Sequence, residues 1–138
     1  MVRMTGHEST ATAAGESAAA MVAAARSRIR SVTARDVAVV LDHDALVVDV
    51  REFAERAATG RIPGAIAAPR GLLEFWADPA SARYRHEFDA ARPTIVYCDS
   101  GERSALAADT LRRLGYRDVA LLAGGLGAWR DCGFPMEP

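Results

Sequence analysis

The chain has 138 residues, of which 50% are hydrophobic and 25% charged, and its formal net charge at neutral pH is −1. That length and apolar content suit one domain with a sizeable core and leave no room for a second. The near-neutral balance, without any run of five or more like charges, gives no electrostatic footprint for nucleic acid or an anionic membrane surface, so small molecules or proteins remain as partners.

Residues 1 to 16 mix Thr, Ser, Gly, Glu and Ala without periodicity and are expected to be disordered. "SAAAMVAAARSRIR", Ser17 to Arg30, is dominated by strong helix formers, so residues 1 to 30 read as an alanine-rich extension carrying one helix that lies on the domain. Its apolar stretch falls well short of the ~20 residues a membrane span needs. No basic segment followed by a long apolar run leads the chain, and only Cys98 and Cys132 are present. A disulfide scaffold and a secretory signal are therefore both unsupported, and a cytoplasmic location with reduced thiols is expected.

The domain is expected over 31 to 138, where helix and strand patterns alternate. Thr33 is a plausible N-cap for a short helix that places Val37, Val40 and Leu41 on one face and stops at the Asp42-His43-Asp44 turn. "ALVVDV" (Ala45 to Val50), "TIVYC" (Thr94 to Cys98, after Pro93) and "DVALLAGG" (Asp118 to Gly125) read as short buried strands. Between the last two, Ala105, Leu106, Ala108, Leu111 and Leu114 recur at helical spacing. Arg112 and Arg113 sit near the helix C-terminus and Gly115 follows it as the C′ residue. Apolar strands separated by helices imply an α/β fold, a central parallel β-sheet with helices on both faces, whose ligands bind at the carboxyl ends of the strands. Cys98 lies at such an end.

The loop Cys98-Asp99-Ser100-Gly101-Glu102-Arg103-Ser104 must turn sharply from strand into helix. Gly101 permits a backbone in which successive N–H groups converge beside the sulfur, and the helix N-terminus adds partial positive charge there. Such a cradle suits an anionic sulfur nucleophile without a separate general base, and the three histidines, His7, His43 and His86, lack catalytic or metal spacing. Arg103 supplies a forked donor for an anionic substrate or leaving group, or else is a helix-surface charge. Alone, Cys98 would be a small buried hydrophobe; strand end, glycine loop, arginine and helix together favour a cysteine site.

These residues resemble the rhodanese family, whose loop is commonly Cys-x-x-Gly-x-Arg-Ser or Thr, matched by Cys98, Gly101, Arg103 and Ser104. "VVDVRE" (Val47 to Glu52), "GRIPGAIAAP" (Gly60 to Pro69) and "LLAGGLGAWRDCGFP" (Leu121 to Pro135) are similar to three further family signatures in the same order, with Arg61 where histidine is usual and Ala67 where asparagine often stands. The resemblance covers about residues 31 to 136.

The resemblance implies a single rhodanese-like domain and a sulfurtransferase of the thiosulfate:cyanide type. Cys98 would take a sulfane sulfur from thiosulfate or a persulfide as a cysteine persulfide and pass it to a thiophilic acceptor. The substrate and persulfide site would be Asp99, Ser100, Gly101, Glu102, Arg103 and Ser104, with Asp49 and Arg51 in support, Asp49 bracing backbone or Arg51 or merely capping its strand. No cofactor or metal is implied. The partners are a small-molecule sulfur donor and acceptor, with a protein persulfide as a further donor, and neither nucleic acid nor membrane.

Two other classes compete. Cysteine phosphatases and arsenate reductases use related loops but place five residues between cysteine and arginine, whereas four stand here. A non-catalytic interaction module would usually lack the cysteine. Asp99 and Glu102 oppose a dianionic donor by repulsion, so thiosulfate is expected to be a poor substrate. Trp129 and Phe134 read as packing residues and Cys132 as a non-catalytic thiol. Arg70 and Trp76 are either pocket-mouth residues or parts of a packed connector, and Arg83 to His86 form a solvated face.

Overall fold

A computed structural model describes residues 15–138. The expectation of disorder falls almost wholly on residues outside that range.

Eleven elements follow in chain order: α1 (Ala18–Arg28), β1 (Arg30–Val32), α2 (Ala34–Val40), β2 (Leu46–Asp49), α3 (Phe53–Thr59), β3 (Ile66–Ala67), α4 (Leu73–Ala77), β4 (Thr94–Tyr97), α5 (Glu102–Arg113), β5 (Val119–Leu122) and α6 (Gly125–Asp131). The five strands form one parallel sheet in the order β1-β5-β4-β2-β3. Every residue of β2, β4 and β5 is buried, which is why these strands read as unbroken apolar runs.

Alternation along each strand divides the core in two. Leu46, Val48 and Val50, with Val96, Cys98, Val119 and Leu121, pack beneath α1, α4 and α5, alongside Val22, Ala25, Leu73, Ala105, Ala108 and Leu111. Val47, Ile95, Tyr97 and Leu122 face the other way, against Ala34 and Val37 of α2 and Leu126 and Trp129 of α6. The period-2 geometry of a strand thus sends the Cys98 side chain to the α5 face and the Tyr97 side chain to the α6 face.

Local chemistry sets the helix ends. Thr33 accepts from Asp36 N and the Asp36 carboxylate accepts from Thr33 N, a reciprocal box at the start of α2. Helix α5 ends where Leu114 and Gly115 close the last turn, Gly115 adopting a positive φ.

The alanine-rich helix is a structural layer of the domain. The Ser17 hydroxyl caps α1 by accepting from Ala20 N, and Val22, Ala25 and Ile29 are buried in the same core as α5. Arg28 grips Asp109 of α5 through Nε–Oδ1 (3.0 Å) and Nη2–Oδ2 (2.9 Å). The boundary expected after Arg30 falls within β1, whose Arg30, Ser31 and Val32 pair with Ala120, Leu121 and Leu122. This strand has mainly exposed side chains, with only Val32 partly buried and Arg30 paired to Asp118 at 2.8 Å, so it carries no hydrophobic pattern to read.

The α1–α5 contact makes stability depend on acid. Hydrogen bonds from Arg28 first, and from Arg112, hold the Asp109 carboxyl at about 2 against an ordinary value of 3.8. Its folded value lies below its unfolded one, so its contribution is complete above the unfolded value and fades as pH falls toward 2. Thermal melts of the wild type are expected to lose stability across that window, and the Asp109→Asn variant, already weaker at pH 7, to show a shallower acid slope.

Candidate active site

Three elements converge on Cys98. Strand β4 delivers it to the carboxyl edge of the sheet, and the chain turns through Asp99 and Ser100 to Gly101, whose φ of 128° suits a residue without a Cβ, before entering α5. Cys98 is buried. Its sulfur receives the N–H of Gly101 at 3.0 Å and that of Ser104 at 3.4 Å, and the Ser104 hydroxyl lies 3.5 Å away while donating to the Gly101 carbonyl.

The loop is held open toward the sulfur by α6. Leu126 N donates to Cys98 O at 2.9 Å and Gly127 N to Asp99 O at 3.3 Å, so the two carbonyls point at α6 and away from the sulfur. This approach requires Gly125: a Cβ there would lie 2.6 Å from Asp99 O and 2.7 Å from Cys98 O, and its φ is +60°. The Gly124-Gly125 pair is the glycine doublet read in "LLAGGLGAWRDCGFP".

The anticipated loop residues are thus brought together: Gly101 and Ser104 touch the sulfur, and Asp99, Ser100 and Glu102 are exposed at the rim. Arg103 is engaged differently from the free fork anticipated. Its guanidinium closes on Glu55 of α3, Nη1–Oε1 at 2.6 Å and Nη2–Oε2 at 3.0 Å. Those bonds raise the Arg103 pKa, and the same Arg103 bonds, with one from Glu52 N, hold the Glu55 carboxyl at about 2.

Asp49 and Arg51 lie fully buried beside the loop. The Asp49 carboxylate accepts from Arg51 N, Nε and Nη2 and from the Tyr97 hydroxyl, and Arg51 donates onward to Thr59 Oγ1 and Gly60 O. Both readings of Asp49 describe the geometry: its carboxylate braces the Arg51 guanidinium, and by accepting from Arg51 N it also caps the end of its strand.

Arg26 was missed by the sequence reading. Its Nη2 lies 3.2 Å from the position a Cβ would take on Gly101, and none of the described residues forms a hydrogen bond or ion pair with its side chain. Only the packing of α1 on α5 brings it there, and no local motif announces it.

The remaining residues separate cleanly. Trp129 is fully buried, packs on Phe134 at 4.8 Å and donates Nε1–H to Pro135 O, a packing role as expected. Cys132 is exposed at the end of α6. Arg70 joins Glu74 and Thr110 as part of a connector. The Arg83–His86 stretch is less uniform than a solvated face, because Arg85 stacks on Trp76 at 3.7 Å and the Tyr84 hydroxyl donates to Phe88 O. Among the described residues no three His, Cys, Asp or Glu side chains gather into a metal-binding group, and no helix is long and apolar enough to cross a membrane.

A parallel α/β sheet whose central strand ends in a cysteine cradled by backbone donors defines the class. The model of the Rhodanese-like domain family matches residues 33–132, and the chain belongs to that family. It is 31% identical over 94 residues to the thiosulfate sulfurtransferase GlpE of Actinobacillus succinogenes, covering 68% of this chain and 77% of that protein. It is 32% identical over 93 residues to a human thiosulfate:glutathione sulfurtransferase, covering 63% and 80%. Across three curated relatives the chain spans 66% to 80% of their length. A solved structure from Rhodopseudomonas palustris, of unknown function and described as a possible tyrosine phosphatase, superposes with a TM-score of 0.85 at 38% identity, covering 90% of this chain and 96% of that one.

The contact between α6 and the sulfur loop generates a direct test. The Gly125→Ala variant should lose on the order of 2 kcal/mol or more of stability, since both the left-handed backbone and the clash with two carbonyls oppose a methyl group. Gly127→Ala, whose Cβ would meet Asp99 O only at 3.9 Å, should be nearly neutral in the same denaturant titration.

Proposed function

We propose that this protein is a sulfurtransferase that carries a sulfane sulfur on Cys98. The observation that supports this most is the sulfur of Cys98 lying under two backbone N–H donors with four residues, Asp99 to Glu102, between it and Arg103. Donors placed before the reaction stabilise negative charge on sulfur without reorganising, the general way in which such cradles lower a barrier.

In the first half-reaction the Cys98 thiolate attacks the outer sulfur of thiosulfate. The new S–S bond forms as the old one breaks, and sulfite leaves with the bonding electrons. The terminal sulfur of the Cys98 persulfide then carries the charge, facing the loop donors. In the second half-reaction an acceptor nucleophile, a thiolate or cyanide, attacks that terminal sulfur, and the bonding electrons return to Cys98. A low-molecular-weight or protein persulfide can replace thiosulfate by the same exchange. The two named relatives act on thiosulfate, and one of them passes sulfur to glutathione, which favours these donor and acceptor classes.

The charges around the loop argue about the donor. Asp99 and Glu102 are exposed at the rim and repel a dianion, and Arg103 is neutralised by Glu55, which leaves Arg26 as the cation beside Gly101. Arg26 therefore serves as a positioning residue for the oxyanion end of the donor, and Asp99 and Glu102 set the preference against it.

A phosphatase reading draws on the description of the Rhodopseudomonas palustris structure. Four intervening residues instead of five leave a tighter ring of donors than a tetrahedral phosphoryl group with three equatorial oxygens requires. The shorter loop favours a single sulfur atom.

Intact-mass analysis after incubation with thiosulfate or a persulfide donor should show one added sulfur, removable by cyanide or dithiothreitol. The Cys98→Ser variant should gain none while remaining folded, Cys132→Ser should behave as wild type, and an aryl phosphate should not be hydrolysed. Cys98-dependent phosphate hydrolysis without sulfur loading would reverse the assignment.

The charge argument predicts a split in kinetic constants. With thiosulfate, Arg26→Ala should raise KM several-fold with little change in kcat, and the pair Asp99→Asn and Glu102→Gln should raise kcat/KM. A neutral persulfide donor should respond weakly to all three, and equal responses for both donors would remove the electrostatic account.

A further inference from the structure

A second cleft shares helix α3 with the sulfur loop but none of the loop's residues. Phe53 and Arg56 of this helix, Arg61, Ile66 of β3, Trp76 of α4 and Arg85 line a cleft of about 390 Å³ at the β3 edge of the sheet, a size within the range of small-molecule sites. No residue of the sulfur loop contributes to its wall.

Its charge is unbalanced. Three guanidinium groups share the cleft with one carboxylate, Glu87. Arg61 is answered in charge by Glu137, Nε to Oε1 at 2.9 Å, although without hydrogen-bond geometry. Arg56 is not: its side chain is 12% exposed, Nη2 donates to Ala65 O at 3.1 Å, and among the described residues Nη1 is buried with no hydrogen-bond partner. The carboxylate within reach, Asp49 Oδ2 at 4.0 Å, already accepts from Arg51 and Tyr97. Burial, followed by the charge of Arg61, pushes the Arg56 pKa down, the signature of a cation short of counter-charge.

A buried donor can be satisfied by water, but water leaves like charges facing one another, and only an anion removes both costs. Arg85 is held over the Trp76 ring at 3.7 Å, so its charge is ordered in advance. Phe53, Ile66 and Trp76 supply apolar wall beside it.

We propose that this cleft binds a small organic oxyanion, a carboxylate or phosphate joined to an apolar body, with the oxyanion on Arg56 and Arg85 and the body against Phe53, Ile66 and Trp76. The site stands apart from sulfur transfer at Cys98 and does not rest on it. It shares only α3, whose consecutive residues Glu55 and Arg56 face the two sites.

Isothermal titration with phenyl phosphate and with benzoate, at ionic strength held constant by sodium chloride, tests the proposal. At least one probe should bind saturably, and the stronger one identifies the oxyanion. Arg85→Ala and Arg56→Gln should each weaken it by about tenfold or more, the scale of one charge-assisted hydrogen bond. Cys98→Ser should leave it unchanged, which separates this cleft from the sulfur loop. Arg85 is exposed, so its variant keeps the test valid even where Arg56→Gln fails to fold. Absence of saturable binding by both probes, or binding that survives Arg85→Ala, overturns the proposal, as does binding lost in Cys98→Ser.

Discussion

The buried carboxylate of Asp49 is the constraint from which the carboxyl edge of the sheet is built. It ends β2 and is paired with an equally buried Arg51. Through the Tyr97 hydroxyl, which also receives Ile62 N–H at 3.2 Å, it is tied to β4 and to the loop before β3. Arg51 extends the same network to Thr59 and Gly60 at the end of α3. One carboxylate thereby fixes the relative heights of β2, β4 and α3. Removing one partner of such a pair leaves an uncompensated buried charge, typically about 3–5 kcal/mol, whereas the intact pair contributes mainly geometry. Burial pushes the Tyr97 phenol up, so it remains the donor to Asp49 throughout the ordinary pH range.

That geometry passes directly to the sulfur. Tyr97, the last residue of β4, and Cys98 just after it point to opposite faces, so the network that pins Tyr97 on the α6 side fixes the Cys98 side chain on the α5 side. The loop after it is then held from two directions. Amides at the start of α6 take its carbonyls, and the first turn of α5 presents its own amides to the sulfur. A flexible seven-residue loop would have to be ordered during each catalytic cycle; here the ordering is completed by folding.

How much of this was legible in the chain depended on sequence distance. The three central strands, the capping box at Thr33, the end of α5 at Gly115 and the cradle from Cys98 to Ser104 are each encoded within a dozen residues, and each could be read. Asp49 and Arg51 stand two apart, and bracing was among their readings. Strand β1 escaped because its short, exposed run has no pattern; α1 was read as a helix lying on the domain, as it does, but alanine supports a helix without declaring which partner it packs on. The pairing of Arg103 with Glu55, 48 positions away, and the placement of Arg26 beside Gly101 arise only when α3 and α1 dock. Residue chemistry pointed to the setting of Cys98; tertiary packing places Glu55 on Arg103 and Arg26 beside Gly101.

Helix α3 shows how that packing divides labour within a single turn. Glu55 spends its charge on Arg103, and because its carboxyl is held at about 2 the pair stays ionised until strongly acidic pH. Arg103 is therefore neutralised in the same way across the range in which a thiol chemistry would operate, and the local field at the sulfur loop is set by Arg26, Asp99 and Glu102 instead. The next residue, Arg56, faces away, with the nearest carboxylate already saturated by Arg51 and Tyr97. Consecutive positions on one short helix thus carry opposite electrostatic situations, one satisfied within the fold and one left for a ligand. The difference follows from Asp49, whose capacity as an acceptor is used up in building the sheet edge.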